Sequence, residues 1–448
     1  MKNRNNVTVI IPSWNEEENL KQCVQSLQTN YPQIQIIVVN NGSTDHTQEW
    51  LEKQKIDQIY FDEGVQTDGK ALNAVFDNFE VQEYVFVIWP QVRVGEKTIA
   101  AMVHTLCQDD RNGIVGCCSN RQPCEQYIEM QSYDDLKRIE DTVKVRRDCR
   151  VVGTFGLCYG FSGKLIEEIG GFDENLAYTD IMVDYQLRAI QSNYKNLIAC
   201  NAYVYEEKEK KENIGWLNRL WEADRHYLRQ KWNMNYFSIA ANSKFNFLLD
   251  RSEEDEFSVL EVGCDMGANL LGIKNAYPNC KIAGLEINKN SVSLGKHIAD
   301  IRYGNIEEEN VDFGEKFDYI IFGDVLEHLH NPLRTIEYCK SLLNENGCIV
   351  ASIPNVMHVS VMEQLLRGEF QYTDMGLLDR THIHLFTQKE ILKMFMEAGY
   401  QIEKLSGSYM QLTLQQEQLI SKLMCISENV TEDMYRVYQY SVVARMLS

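Results

Sequence analysis

Apolar runs alternate along the chain with segments of helical periodicity. Val7 to Ile11 is an apolar run ended by Pro12, and Ile34 to Val39 and Tyr84 to Trp89 are two more. Between the first two, Leu20, Val24 and Leu27 share one face, which predicts a helix over Glu16 to Gln28. The pattern returns in the second half. Val259, Leu260 and Val262 form a short apolar run, as a buried parallel strand should. Ala268 to Ala276 follows with Leu270, Leu271 and Ile273 apolar in a helical pattern. Phe317 to Asp324, Gly347 to Ile353 and Tyr440 to Ala444 read as further strands, and Pro332 starts a helix in the favoured first-turn position. Strands alternating with helices predict an α/β fold, with mostly parallel sheets and ligands at strand ends.

The alternation occurs twice in 448 residues, more than one ordinary domain. Two α/β domains are expected, 1–232 and 233–448, close-coupled because no low-complexity linker separates them. Glu206 to Glu212 is a mixed charge run, read as a solvated loop or helix start. Trp216, Leu217, Leu220, Trp221, Tyr227 and Leu228 then recur at near-helical spacing, with Arg219, Arg225 and Arg229 among them. This predicts an amphipathic helix packed on the first sheet or between domains, and leaves peripheral contact with a membrane surface open.

The turn after Val262 carries Gly263 and Gly267. Strand, glycine turn and helix make a nucleotide-binding unit. Small residues let a ligand approach the backbone, and the helix start offers unpaired N–H groups. Glu286 closes the next strand about 20 residues on, where an acid can accept hydrogen bonds from two ribose hydroxyls. His328/His330 and His382/His384 are two His-x-His pairs. On a strand such a pair faces one way and can bind metal. His328 and His330 read as helical, which turns them about 200° apart, so no metal site is expected.

Glu261, Gly263 and Gly267, with Asp265 in place of a middle glycine and Glu286 beyond, resemble motif I and the acidic second-strand motif of class I S-adenosylmethionine methyltransferases. The resemblance implies a Rossmann-like domain that holds S-adenosylmethionine through these five residues. It places Asn305 at the adenine and Asp324, which begins Asp324-Val325-Leu326-Glu327-His328-Leu329, at the border of cofactor and acceptor. Tyr236 to Leu249 looks like the helix that commonly precedes motif I. Asp379 to Thr387 resembles a segment of the methyltransferases found beside O-antigen and other surface-glycan genes, which implies methyl transfer to a sugar hydroxyl. The protein's part in such a transfer is alignment and often a base. His328 and His382 are candidates for that base, because histidine titrates near neutrality; each could equally be a hydrogen-bonded structural residue.

In the first half, Val-Thr-Val-Ile-Ile-Pro-Ser-Trp-Asn-Glu from Val7 and Val-Val-Asn-Asn-Gly-Ser-Thr-Asp from Val38 stand with Gly69 to Ala74 and Glu168 to Glu174. Together they resemble family-two glycosyltransferases of the GT-A fold, rhamnosyltransferase-like, over residues 7 to about 205. The resemblance implies a nucleotide-sugar donor held by Pro12, Asn15, Glu16, Asn40 and Asn41, with Lys70 and Gln91 in matching segments. Two departures stand out. The family's Asp-x-Asp place reads Trp89-Pro90-Gln91, and Gln91 replaces a hard, charged oxygen ligand poorly. A divalent metal there is left open. The family's Glu-Asp place, aligned on Asp184, Leu187 and Arg188, reads Ile181-Met182. The catalytic base then falls to Asp180 or Asp184, and to Asp180 only if Thr179 to Met182 bulges.

The formal charge is −21, which argues against nucleic acid or an anionic membrane as main partner. No apolar run approaches the ~20 residues of a membrane span. The N-terminus leads into a strand rather than a signal-peptide core. The 13 cysteines are odd in number and form no Cys-x-x-Cys pair, which suggests free thiols in a reducing cytoplasm. The chain is expected to be a cytoplasmic enzyme with a glycan or glycoprotein acceptor. One half would transfer a sugar and the other O-methylate one; alternatively only the methyltransferase reacts, and the first half binds a glycan or protein.

Overall fold

The computed structural model describes residues 6–62, 66–177, 180–208, 211–234 and 237–447, and for 124, 211–221 and 247 the backbone alone. Thr179, Tyr236 and the side chains of Trp216, Leu217, Arg219, Leu220 and Trp221 lie outside the described residues. The chain divides into two compact units, Met1–Ala241 and Asn242–Ser448.

The first unit is built on the strands β1 (Val7–Ser13), β2 (Gln35–Asn40), β3 (Asp57–Tyr60), β4 (Tyr84–Ile88), β5 (Val92–Val94), β6 (Asn112–Ser119), β7 (Cys149–Val151), β8 (Cys158–Ser162) and β9 (Lys195–Glu206). Their order is β3-β2-β1-β4-β8-β6-β9-β5, with β7 also on β9. Every residue of β1 is buried, as the apolar run predicts. β1 pairs in parallel with β2 on one side and β4 on the other. Chain order reverses between β1 and β4, and ligands of open α/β sheets bind at such a point, outside the carboxyl ends. Ser13 and the turn after Ile88 lie there.

The second unit holds β10 (Ser258–Val262), β11 (Lys281–Glu286), β12 (Asp300–Tyr303), β13 (Phe317–Gly323), β14 (Leu343–Pro354), β15 (Tyr400–Tyr409) and β16 (Val437–Met446). Their order is β12-β11-β10-β13-β14-β16-β15. The first five are parallel, and β16 is antiparallel to both β14 and β15. The order reverses between β10 and β13, so the glycine turn after Val262 and the segment after Gly323 frame the crevice. Both units are thus Rossmann-like α/β layers.

Two expected elements differ. The helix over Tyr236 to Leu249 contracts to Lys244–Leu248. Ile239 instead accepts a backbone hydrogen bond from Gly153 of the first unit, which holds that stretch out of a helix. His328 ends a single 3-10 turn, Leu326–His328, so His330 is not on a helix with it. The amphipathic segment is a helix, Lys211–Trp232, and its described Leu228 and Tyr227 pack in the first unit's core.

One ion pair fastens that helix to Asp180–Gln191. Asp184 is fully buried and accepts from Trp232 Nε1 at 3.0 Å and Lys231 Nζ at 2.7 Å. Lys231 also reaches Asp173 at 2.5 Å. Removing the carboxylate leaves two donors facing a buried amide. Asp184→Asn should lower stability by about 1.5–3 kcal/mol, the scale of a charged hydrogen bond. Urea unfolding should show a lower midpoint with an unchanged slope.

Candidate active sites

In the second unit, Gly263 and Gly267 have φ of 70° and 91°, a region that side-chain-bearing residues rarely adopt. A Cβ on Gly263 would stand 2.6 Å from Val325 Cγ2. The close approach that sequence assigns to a ligand is therefore also made within the protein, and it fixes the turn against the segment after β13. Asp265 sits in the left-handed region too, with φ of 47°, which Asp tolerates better than most residues. Its backbone N–H donates to Glu286 Oε2 at 2.8 Å, and the Asn288 N–H to Oε1 at 2.7 Å. Glu286 thus braces the turn while each oxygen keeps a lone pair for another donor. Asn305 caps the short turn Ile306–Glu308 through Glu307 N–H at 3.0 Å. Asp324 accepts from Ser352 Oγ at 3.3 Å and from Gln439 Nε2.

Glu261 is 1% exposed. Its Oε1 accepts from Asn269 Nδ2 at 2.6 Å, and its Oε2 is buried with no hydrogen-bond partner. Burial pushes its pKa up to about 8, and Asp265 and Glu286 add to the rise.

Sequence reasoning passed over Glu327. It is 1% exposed, and neither carboxyl oxygen has a hydrogen-bond partner. Burial, then the charge of Asp324, pushes its pKa to about 8. A charged residue inside the apolar Val325-Leu326 flank was the available signal. The turn at Asp379 folds back over it: the N–H groups of Ile383 and His384 donate to the Glu327 carbonyl at 2.8 and 3.0 Å. That clamp brings His382 to Glu327, with Nε2 to Oε1 at 3.9 Å, and edge-on to His328 at a ring-centroid separation of 4.8 Å. Burial lowers the His382 pKa, with His328 contributing. The expectation of no metal ligand set rests on spacing within each His-x-His pair, and neither pair forms a cluster. The cluster forms between pairs: Glu327, His328 and His382 each offer a ligand atom within 4.8 Å of the others.

In the first unit the two loops at the β1 switch point hold each other. Asn15, with φ of 53°, accepts from the N–H groups of Thr44 at 2.7 Å and Asp45 at 3.3 Å. Pro12 lies in β1, and buried Glu16 accepts from Asn19 Nδ2 at 2.6 Å. Asn40 and Asn41 hold the loops together. Both are buried. Asn40 binds Gln48 Oε1 and the Ser43 N–H; Asn41 binds both backbone groups of Gln66. Their amides close the loops, each with one donated and one accepted bond. Lys70 is exposed on the helix Asp68–Asn78, its Nζ on Gln66 Oε1 at 2.8 Å.

Gln91 is buried in the turn before β5. Across the sheet the Glu207 N–H donates to the Gln91 carbonyl at 3.0 Å, and the neighbouring acid Glu206 pairs with Val92. Glu206 is 2% exposed, accepts from Gln122 Nε2 at 2.7 Å, and has its pKa raised by burial. Among the described residues, no group of three metal-ligating side chains close enough to share an ion lies in this unit. Asp180 and Asp184 separate clearly. Asp184 is held by Lys231 and Trp232. Asp180 opens the helix Asp180–Gln191, is buried, and has Oδ2 without a hydrogen-bond partner. Burial raises its pKa, against the Arg225 charge. Its negative charge also acts on Asp224, which burial has pushed to about 6. Asp224, on the later helix Lys211–Trp232, is a second acid that spacing alone did not single out.

Residues 8–170 match the family described as glycosyl transferase family 2, and residues 215–405 match the methyltransferase domain family. The chain therefore carries both domains, and they support both transferase activities. An uncharacterized protein, RP028, of Rickettsia prowazekii is 26% identical over 172 residues, 36% of this chain and 67% of that protein. A ubiquinone biosynthesis O-methyltransferase of Glaesserella parasuis is 28% identical over 123 residues, 25% of this chain. The chain spans 51% of that relative's length. Among solved structures, a mannosyltransferase from Pyrobaculum calidifontis in complex with GDP-Man and Mn2+ shares 18% identity at a TM-score of 0.38, covering 51% of this chain and 65% of that one.

Glu261 generates a prediction independent of any ligand. Its carboxyl is held protonated in the fold up to about pH 8, whereas an unfolded glutamate ionises near pH 4.3. Folding takes up a proton between those values, so this residue's contribution to stability falls as pH rises through them and levels off above. Glu261→Gln lacks that dependence. Its melting temperature relative to wild type should be higher at pH 8 than at pH 5, measured by thermal denaturation without ligand.

Proposed function

We propose that the chain is a bifunctional transferase of glycan or glycoprotein assembly. The second unit O-methylates a sugar hydroxyl with S-adenosylmethionine, and the first transfers a sugar from a nucleotide-sugar donor. One observation carries the methyltransferase reading: Glu261 Oε2 lies buried and unpartnered at the switch point, on the same turn that Glu286 braces.

The cofactor's groups fit these residues. An ammonium suits the unpartnered Glu261 oxygen, and ribose hydroxyls suit the remaining lone pairs of Glu286. Gly263, Asp265 and Gly267 form the turn between them, and Asn305 and Asp324 flank it. S-adenosylmethionine supplies a methyl group on a positively charged sulfur. The chain's own work is to align an acceptor hydroxyl and take its proton. His328 and His382 stand beside Glu327, and His382 is kept neutral by burial and therefore able to accept a proton. The relative's printed name, an O-methyltransferase, supports an oxygen acceptor. The adjoining glycosyl transferase domain supports a sugar.

In the first unit the base role goes to Asp180, since Asp184 is committed to Lys231 and Trp232. The residues around Gln91 do not fit a hard divalent cation, whose usual ligands are several charged oxygens, so no step is assigned to one. The same observation, with Met182 where the family has an acid, favours a second reading: the first unit binds a glycan or protein without transferring sugar.

Calorimetric titration with S-adenosylmethionine and a panel of nucleotide sugars tests both readings. Glu286→Ala should weaken cofactor binding by about 1.5–3 kcal/mol; absence of binding by wild type at millimolar cofactor would sink the methyltransferase reading. Asp180→Asn should slow sugar transfer about 10²–10⁴-fold with donor binding intact. If wild type binds no nucleotide sugar, the binding-module reading takes its place.

A further inference from the structure

Two imidazoles and a carboxyl meet at the end of β13 in a way that core packing does not explain. His328 Nδ1 lies 3.1 Å from the Thr381 carbonyl oxygen, so that nitrogen carries the hydrogen and donates it. His382 Nδ1 lies 3.2 Å from the Leu377 carbonyl oxygen and does the same. Each ring therefore keeps its Nε2 lone pair unspent. Metal-ligating histidines show this arrangement: the second nitrogen donates to a carbonyl or carboxylate, which fixes tautomer and ring angle. The carbonyls belong to the segment Leu377–Thr381, whose turn is set by Asp379 Oδ1 accepting from Thr381 N–H at 2.8 Å and Oγ1 at 2.6 Å.

Glu327 completes the set. Its oxygens are buried with no hydrogen-bond partner, an arrangement that strongly disfavours an ionised carboxylate unless a cation is present. The 3.9 Å between Glu327 Oε1 and His382 Nε2 is too long for a hydrogen bond. It suits two ligands of one ion, since atoms that each bind at about 2.1 Å lie at most about 4.2 Å apart. The three ligand atoms as a set lie within 4.8 Å of one another, so any wider pair draws in when the ion binds. Asp324 and Asp379 add negative charge around Glu327.

We propose that Glu327, His328 and His382 form a binding site for one divalent first-row transition-metal ion. Imidazole ligands suit zinc, copper, iron or nickel, whereas magnesium, calcium and manganese favour oxygen. Three protein ligands leave coordination positions for water or an acceptor oxygen. Ligation through both Nε2 atoms also removes His328 and His382 as free bases. Only the consequence for the acceptor rests on the methyltransferase reading; the site itself does not.

The test uses tag-free full-length protein stripped with chelator and dialysed against Co2+ or Zn2+. Mass spectrometry should count a single ion per chain bound at this site, Co2+ should show the visible bands of a low-symmetry site with nitrogen ligands, and the metal should raise the melting temperature. Glu327→Gln and His382→Ala should each weaken binding by more than about 10-fold, since even outer-shell partners are worth 10–100-fold. His382→Gln guards against misfolding of the alanine variant, and cofactor titration of each metal-free variant reports an intact crevice. No bound ion at millimolar Co2+, Zn2+ or Mn2+ overturns the site, as does binding that the variants leave unchanged. Metal-free wild type that binds no S-adenosylmethionine, yet takes up the ion, upholds the site and sinks the methyltransferase reading instead.

Discussion

A carboxyl group taken out of water without a counter-charge must keep its proton or be met by a cation. Both units contain such groups. Glu261 and Glu327 in the second unit, and Asp180 and Glu206 in the first, each have a buried oxygen without a hydrogen-bond partner. Burial is the first cause of the raised pKa of all four. Asp184 shows the alternative. It is as deeply buried, and its Oδ2 also lacks a hydrogen-bond partner. But Lys231 and Trp232 meet its Oδ1, and the Arg188 guanidinium lies 3.8 Å from Oδ2. Cations thus compensate its charge, and it serves the packing of two helices. The contrast sorts acids by role better than their position in a motif does. A compensated acid belongs to the fold; an uncompensated one is held ready for something that arrives.

That sorting explains which parts of the chain were legible as sequence. Apolar runs of fixed period specify strands and helices because burial of one face is a local requirement. β1, β10 and the helix Ala268–Ala276 accordingly lie where the periodicity puts them. Side-chain direction within a loop is not local. Asn40 and Asn41 sit in a loop that reads as nucleotide-facing, yet Gln48, Ser43 and Gln66 capture both amides. The meeting of His328 with His382 was illegible for the same reason. It depends on two backbone hydrogen bonds across more than fifty residues of chain, from Ile383 and His384 to Glu327. The choice between Asp180 and Asp184 was open in the sequence, because the partners that Lys231 and Trp232 bring to Asp184 come from about fifty residues away.

Asp265 shows how a departure from a motif is accommodated. A side chain in the left-handed region is disfavoured, and Asp is among the residues that bear it best. The turn is held from outside by the hydrogen bond from Asp265 N–H to Glu286, so its shape does not depend on a glycine at this point. The substitution instead changes the field. Burial raises the pKa of Glu261 and Glu286, and the Asp265 charge adds to both, though its N–H acts the other way on Glu286; three acids gather around one turn. A cation approaching that turn is attracted by the charged acids among them and favours loss of the Glu261 proton, and in a crevice of low dielectric the attraction is stronger than in water. Under the proposed reading this bears on turnover. The sulfonium cofactor carries one more positive charge than its demethylated thioether product, so an acidic turn favours the first over the second. The same charge that draws the cofactor in then weakens the hold on the product once the methyl group has left.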